Sequence, residues 1–163
     1  MNRLPQRDKL PHEVPAWVRQ GADFFLTICC RMREENQLCH PEVAKTIFEA
    51  VDYRQNAGRW YVHLLLLMPD HLHAIVSFPG RERMVRVVAN FKEVTAKRAG
   101  IRWQRDFFDH RLRREESFEE KAAYIRRNPV RKGLIGDETK WPWRWRTAEG
   151  RSGGPGGPAL PVP

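Results

Sequence analysis

Short apolar runs alternate along this chain with longer stretches whose apolar residues recur every three or four positions. Runs rich in aromatic, β-branched and leucine residues predict strands, and these lie at 24–30, 60–68, 71–78 and 105–112. Apolar residues at helical spacing predict helices, and these lie at 41–57, 83–99 and 117–127. The predicted order is strand, helix, strand, strand, helix, strand, helix.

Without its last helix, that order is the split βαβ arrangement of ferredoxin-like folds. We therefore predict an α+β domain with a ferredoxin-like or RRM-like antiparallel sheet, helices on one face and an additional C-terminal helix. Ser117 and Glu120 have the spacing of a capping box, which predicts that this helix begins at Ser117. Pro129 disfavours helical backbone at the preceding residue, which predicts that Asn128 lies at the end of the helix.

Composition divides the chain into three segments. Residues 1–20 contain three prolines and are expected to form an extended arm, and residues 21–146 are expected to form the folded domain. From 147 to 163, nine of the seventeen residues are glycine or proline. Such a segment cannot bury enough apolar surface to fold, so we expect a disordered tail.

Composition also excludes a membrane protein. With 41% hydrophobic and 30% charged residues, the chain resembles a globular domain. Its longest apolar run, 64–68, is far shorter than the roughly 20 residues of a membrane span. The N-terminal region lacks the apolar stretch of a signal peptide, and three cysteines cannot all pair within one chain. These features predict reduced thiols and a cytoplasmic protein.

The charge distribution indicates a nucleic-acid partner. Lys and Arg number 29 against 20 Asp and Glu, and residues 81–114 contain eleven basic and four acidic side chains. Such a surface attracts phosphate backbones, and the candidate contacts on the second predicted helix are Lys92, Lys97 and Arg98. A solvated charged helix face is the alternative, and charge alone does not separate DNA from RNA.

Two histidines stand at the start of the third predicted strand. Alternate strand residues share a face, so His71 and His73 project together while Leu72 points into the core. Two imidazoles placed in this way can bind one divalent cation. The alternative is a pair of surface histidines.

Tyr124 lies on the last predicted helix, and Asn128 follows four residues later on the same helix face. A tyrosine hydroxyl is a weak nucleophile near neutral pH because its ordinary pKa is about 10. A metal-polarised phosphate and nearby positive charge make the attack feasible, and Arg126, Arg127 and Arg131 supply such charge. The alternative is a core tyrosine that anchors the helix.

Three motifs together resemble the IS200-like transposase superfamily, in the branch of the REP-associated tyrosine transposases. MPDHLH at 68–73 resembles the M-P-x-H-x-H signature, WQRDFFDH at 103–110 resembles the W-Q-x-x-Y-x-D-H segment, and YIRRNPVRKGL at 124–134 resembles the catalytic helix. The motifs occur in the family's order, and the resemblance spans about 24–143.

This resemblance implies an HUH-type endonuclease that cleaves and rejoins single-stranded DNA beside hairpins. By the matching positions, His71 and His73 are the expected metal ligands, Tyr124 the nucleophile and Asn128 a third ligand. The implied metal is Mg²⁺ or Mn²⁺, and the implied intermediate is a 5′-phosphotyrosine with a free 3′-hydroxyl. The implied partner is hairpin DNA at the bacterial nucleoid, and the implied state is a monomer or homodimer.

Some residues depart from the family pattern or have weaker assignments. Asp70 stands where asparagine is common and adds negative charge near the metal, and residues 144–146 stand where serines are common. Tryptophans divide into predicted base-stacking platforms, Trp143 and Trp145, and predicted core residues, Trp60 and Trp103. His63 and His110 are predicted to have structural or supporting roles.

Two other functions suit the same fold. A non-catalytic single-stranded nucleic-acid-binding protein is expected to have lost a ligand histidine or the tyrosine, and this sequence retains all of them. An RNA-binding RRM-like sheet needs exposed aromatic residues on its central strands. Here the third strand has His71 and His73 instead.

Overall fold

The computed structural model describes residues 17–18, 21–79, 84–113 and 115–147. Its strands are β1 (Asp23–Cys29), β2 (Tyr61–Leu67), β3 (His71–Ser77) and β4 (Phe108–Leu112). Its helices are α1 (Pro41–Asn56), α2 (Met84–Ala99) and α3 (Glu115–Arg131), followed by a short 3-10 turn (Glu138–Lys140). Every predicted strand and helix is present, although β4 is shorter than predicted and α3 is longer.

The four strands form one antiparallel sheet in the order β2-β3-β1-β4. The two central strands, β1 and β3, pair from Asp23 opposite Ser77 to Cys29 opposite His71. With one helix after β1 and another after β3, this is the predicted ferredoxin-like arrangement. The predicted fold class is therefore confirmed.

The two faces of the sheet carry different residues and different helices. Leu26, Leu72 and Val76 on one face belong to the hydrophobic core that includes α1 and α2. The opposite face carries His71 and His73, and α3 lies across it, with ring contacts from the helix to β1, β2 and β3. Two helices thus share one face, and the additional helix covers the histidine face.

The start of α3 corrects the capping-box prediction. The helix begins at Glu115, so Ser117 lies inside its first turn and is not the N-cap residue. A serine followed three residues later by Glu120 marks a helix start only where the serine backbone is non-helical.

The end of α3 also differs from its prediction. The helix continues through Pro129 to Arg131, because a proline in the last turn removes only one helical hydrogen bond. Gly133, with a φ of 72°, then reverses the chain. The N–H of Leu134 donates to the Pro129 carbonyl at 2.9 Å, which completes a Schellman stop.

Residues 143–145 close the outer edge of β2. The Leu67 N–H donates to the Trp143 carbonyl at 2.8 Å, and the Trp145 N–H donates to the Leu65 carbonyl at 3.0 Å. Trp143 and Trp145 are each only 7% exposed. The prediction that they are base-stacking platforms is therefore wrong, since buried indoles offer no face to a base. Trp60 and Trp103 are core residues, as predicted.

The predicted N-terminal arm, apart from Trp17 and Val18, and the Gly/Pro-rich tail from residue 148 onward lie outside the described residues. The division at residues 20 and 147 therefore stays a prediction. Within the described ranges, no helix has the length and apolar character needed to cross a membrane.

Candidate functional site

His71 and His73 form a closely packed pair at the start of β3. Their ring centroids are 4.7 Å apart with an interplanar angle of 77°, and the two residues are 7% and 5% exposed. Both rings lie on the face covered by α3, as strand alternation predicted. The alternative of two surface histidines is wrong, because both side chains are buried.

The His71 ring is held by its sequence neighbour. Its Nδ1 lies 2.7 Å from Oδ1 of Asp70. Oδ2 of Asp70 accepts from the Glu34 N–H at 2.8 Å and forms an ion pair with Arg33, whose Nε lies 3.2 Å away. Although burial acts to raise the pKa of Asp70, these hydrogen bonds and charges lower it overall. A carboxylate only accepts hydrogen bonds, so the proton of neutral His71 is on Nδ1 and the Nε2 lone pair is available to a cation.

The His73 ring is held by β1. Its Nδ1 lies 2.9 Å from the Thr27 hydroxyl oxygen, and its ring stacks on Phe25 at 5.4 Å between centroids. Burial lowers the pKa of His73 to about 3 and also lowers the pKa of His71. Both imidazoles are therefore neutral near pH 7, which is the form that a metal ligand requires.

Tyr124 of α3 lies beside His73 of the same chain. The two ring centroids are 5.8 Å apart, and Tyr124 is 40% exposed. Its ring also contacts Phe25, at 6.2 Å between centroids. The alternative of a core tyrosine does not fit this exposure, because the side chain touches the buried pair and still reaches solvent.

Positive charge surrounds the tyrosine. Arg131 Cζ lies 5.1 Å from the centroid of the Tyr124 ring, and Lys121 Nζ lies 5.7 Å from it. Arg126 and Arg127 are exposed on the same helix. Two cations therefore lie against the ring of the tyrosine, and two more extend the positive charge along its helix.

Asn128 follows Tyr124 by one helical turn and is 5% exposed. It is part of the helix, which places it on the same helix face as Tyr124. Among the described side chains, no third His, Cys, Asp or Glu completes a metal-binding group with the histidine pair. Asn128 therefore stays the predicted third ligand.

The basic residues predicted on α2 do not converge on this site. Lys92 Nζ donates to the Arg105 carbonyl at 2.8 Å, Lys97 pairs with Glu93 at 2.9 Å, and Arg98 pairs with Glu49 at 2.9 Å. Their helix packs on the other face of the sheet. A role for Lys92, Lys97 and Arg98 in phosphate binding stays a prediction, and it concerns a surface separate from Tyr124.

Several residues of the site were missed by sequence reasoning. These residues contact the site or add a charge to it, and they are Phe25, Thr27, Arg33 and Lys121. They come to the site only through the pairing of β1 with β3 and the position of α3. One signal could have found Phe25 and Thr27. Alternate residues of a neighbouring strand share the face that carries the histidines, and β1 is such a strand.

The two other candidate histidines lie elsewhere. His63 Nε2 is 2.8 Å from the Ser77 hydroxyl oxygen and 3.1 Å from Asp23 Oδ1, at the end of β3 opposite to His71. His110 is exposed on β4. His63 has a structural setting, as predicted, since it ties β2 to β1 and β3.

Comparison with known proteins gives a consistent set of relatives. The family model described as "Transposase IS200 like" matches residues 23–128. The REP-associated tyrosine transposase of Escherichia coli K12 is 25% identical over 127 residues, which cover 76% of each chain. A solved structure of a REP-associated tyrosine transposase bound to a REP hairpin superposes with a TM-score of 0.69, at 23% identity over 76% of each chain. That structural likeness establishes a shared fold.

Proposed function

The chain belongs to the IS200-like transposase family, and on this basis we propose that it cleaves and rejoins single-stranded DNA beside hairpins, with Tyr124 as the nucleophile. The observation that carries the proposal is the contact between Tyr124 and His73, with ring centroids 5.8 Å apart on one face of the sheet. A nucleophile, two potential metal ligands and a set of cations meet at one partly open position.

The histidine pair suits a divalent cation. Nε2 is the proposed metal-binding atom of both rings. At His71 the Asp70 carboxylate holds the ring proton on Nδ1, and at His73 the Thr27 hydroxyl lies against Nδ1. Burial keeps both rings neutral. Asn128 is the proposed third ligand, through its amide oxygen. We propose Mg²⁺ or Mn²⁺, which when bound polarises a phosphate oxygen and leaves coordination positions for the DNA.

Tyr124 carries out the covalent step. Its hydroxyl oxygen attacks the phosphorus of the scissile phosphodiester, a bond from tyrosine oxygen to phosphorus forms, and the bond from phosphorus to the 3′ oxygen breaks. The tyrosine proton is lost, and the departing 3′ oxygen gains one to become a hydroxyl. The products are a 5′-phosphotyrosine and a free 3′-hydroxyl, and attack by a 3′-hydroxyl on this link reverses the step and rejoins DNA.

Lys121 and Arg131 orient the scissile phosphate. Both place their charges over the Tyr124 ring, at 5.7 and 5.1 Å from its centroid. Cations positioned before the reaction stabilise the negative charge that grows on the phosphate oxygens. Arg126 and Arg127 extend the positive surface along the exposed side of α3.

The proposed substrate is single-stranded DNA that carries a hairpin. The net charge of +9 favours a polyanion, and the solved relative is described as bound to a REP hairpin. A cytoplasmic location beside the chromosome belongs to the same proposal. Because Tyr124 contacts His73 of its own chain, one protomer holds the tyrosine and both histidines, so a monomer suffices.

The proposal is tested by covalent capture. The protein is incubated with a panel of single-stranded hairpin oligonucleotides and Mg²⁺ or Mn²⁺, and protein–DNA adducts are resolved on a denaturing gel. We expect an adduct that is absent in Tyr124→Phe and strongly reduced in His71→Ala and His73→Ala. Tyr61→Phe and His40→Ala, which lie outside the site, serve as matched controls and should retain the adduct.

Robust adduct formation by Tyr124→Phe would show that another residue is the nucleophile. Hairpin binding without any adduct in the wild-type protein would instead favour the non-catalytic binding protein of the same fold.

A further inference from the structure

A basic cavity of about 430 Å³ lies between the end of α1 and the beginning of α2. Three arginines line it, together with polar groups of one tyrosine and one asparagine, and its lining includes no acidic residue. The polar residues of the lining are Tyr53, Arg54, Arg59, Arg86 and Asn90.

Arg54 is the central residue of this cavity. It is only 3% exposed, its Nη1 donates to the Ala50 carbonyl at 2.9 Å, and its Nη2 donates to Asn90 Oδ1. Its guanidinium also lies over the Phe91 ring at 5.7 Å. These contacts are all with neutral groups, and the buried Nε–H has no hydrogen-bond partner among the residues that the structure describes.

A buried cation with only neutral contacts is costly. The free-energy cost of removing a guanidinium from water is offset when an anion or a full set of hydrogen bonds contacts it. Burial lowers the pKa of Arg54 accordingly. A purely structural role, in which Arg54 ties α1 to α2, explains its Nη contacts. It does not explain why Arg86, an exposed cation of the next helix, lines the same cavity.

We propose that this cavity is a phosphate-binding site, separate from the Tyr124 site. Arg54 and Arg86 would contact the phosphate oxygens, and Asn90, whose Oδ1 is already an acceptor for Arg54, would donate from its amide nitrogen. Tyr53 is 72% exposed at the cavity and offers a ring to a sugar or base attached to the phosphate. The ligand is a phosphate group, either of a nucleic-acid backbone or of a free phosphate compound.

The cavity is remote from the tyrosine. It lies where α1 ends, before β2 begins at Tyr61, and Tyr61 pairs with Ser77 at the end of β3 opposite to His71. Ser77 lies six positions along the strand from His71, which corresponds to about 20 Å. A phosphate bound here would not touch Tyr124, so the site anchors its ligand and takes no part in strand cleavage.

The first test uses inorganic phosphate as the probe and thermal unfolding of the full chain as the readout. Phosphate should raise Tm saturably compared with chloride at equal ionic strength. Arg86→Gln changes an exposed side chain and should weaken the response about tenfold, the loss expected from roughly 1.4 kcal/mol of interaction. Lys45→Gln removes one exposed positive charge from α1, away from the cavity, and should respond as the wild type does.

Two outcomes would overturn the proposal. One is a wild-type protein with no saturable response to phosphate, and the other is an equal response from Arg86→Gln and Lys45→Gln. Arg54 is buried, so Arg54→Gln can fail to fold, and Arg86→Gln is the deciding variant.

A second arm identifies the source of the phosphate. Affinity for a fluorescent hairpin oligonucleotide is measured by anisotropy without divalent metal. A larger loss in Arg86→Gln than in Lys45→Gln, with competition by inorganic phosphate, identifies the DNA backbone. Equal DNA affinities together with a lost phosphate response in Arg86→Gln identify a free phosphate compound. Thermal unfolding and metal-free anisotropy both measure binding and neither measures cleavage, so both readouts are independent of whether the proposed cleavage occurs.

Discussion

Asp70 Oδ1 and His71 Nδ1, which belong to consecutive residues, lie 2.7 Å apart. Because β3 begins at His71, Asp70 belongs to the preceding turn and its carboxylate reaches back to the ring. The contact fixes both the orientation of the ring and the nitrogen that carries its proton.

Asp70→Ala should weaken binding of Mn²⁺ by about 10- to 100-fold, the usual loss when such a supporting hydrogen bond is removed. Asp70→Asn keeps one oxygen that can accept from His71 Nδ1 but turns its amide NH2 toward the Glu34 N–H and Arg33, so its loss should be smaller than that of Asp70→Ala. Isothermal titration calorimetry on the two variants makes the comparison. Equal affinities in Asp70→Ala and the wild type would show that the ring is positioned by other groups.

Stability of the metal-free protein should fall with acidification, beginning near pH 6.5. Unfolded His73 has an ordinary pKa of about 6.5, and burial lowers its pKa in the folded state to about 3. Between these values the unfolded chain binds more protons, so lower pH favours unfolding, by up to about 1.4 kcal/mol per pH unit and per histidine. The lowered pKa of His71 acts in the same direction.

Urea unfolding in the presence of a chelator, from pH 8 to pH 4, measures this dependence. His73→Gln should show a shallower loss of stability on acidification, whereas His40→Gln, which changes an exposed histidine, should match the wild type. An unchanged slope in His73→Gln would contradict the burial of a neutral imidazole at this position.

Phe108→Ala should weaken binding of single-stranded DNA by at least about fivefold, because stacking of one base on an aromatic ring contributes roughly 1–3 kcal/mol. Phe108 is 57% exposed on β4, contacts Phe25 at 6.2 Å between ring centroids and pairs with Thr27 of the site. Fluorescence anisotropy with an oligonucleotide provides the measurement.

Two variants control for this substitution. Phe108→Tyr keeps the ring and should keep the affinity. Val85→Ala shortens another exposed apolar residue, 66% exposed on α2, and should have no effect. A comparable loss in Val85→Ala and Phe108→Ala would indicate a nonspecific cause.

Changes to the C-terminal tryptophans should affect folding rather than DNA affinity. Trp141→Ala should lose about 3–5 kcal/mol of unfolding free energy, since Trp141 is 2% exposed and donates from Nε1 to the Leu67 carbonyl. Trp145→Phe should lose about 1 kcal/mol with the 2.9 Å hydrogen bond to Asp52. Urea denaturation measures both. Weaker DNA binding at unchanged stability in Trp145→Phe would restore the base-stacking interpretation.

Local sequence patterns predicted most of the fold and the histidine pair. Alternation along β3 placed His71 and His73 on one face, and spacing along α3 placed Tyr124 and Asn128 on one face. These relationships hold within single elements, so no knowledge of the tertiary structure was needed.

Two errors are local, at the start and the end of α3, and the others concern relationships between elements. Trp143 and Trp145 are buried because residues 143–145 pair with β2, almost eighty positions earlier in the chain. Thr27 and Arg33 reach the histidines through the register between β1 and β3 and through the turn that holds Asp70. The spacing of residues within one element does not predict these contacts between elements.

The contact between Tyr124 and His73 has a genetic consequence. A chain that lacks the tyrosine and a chain that lacks the histidine would each hold half of a site whose halves meet within one molecule. Expressing the two defective genes together should therefore not restore the proposed strand cleavage. A defective copy should also have no dominant-negative effect on an intact one.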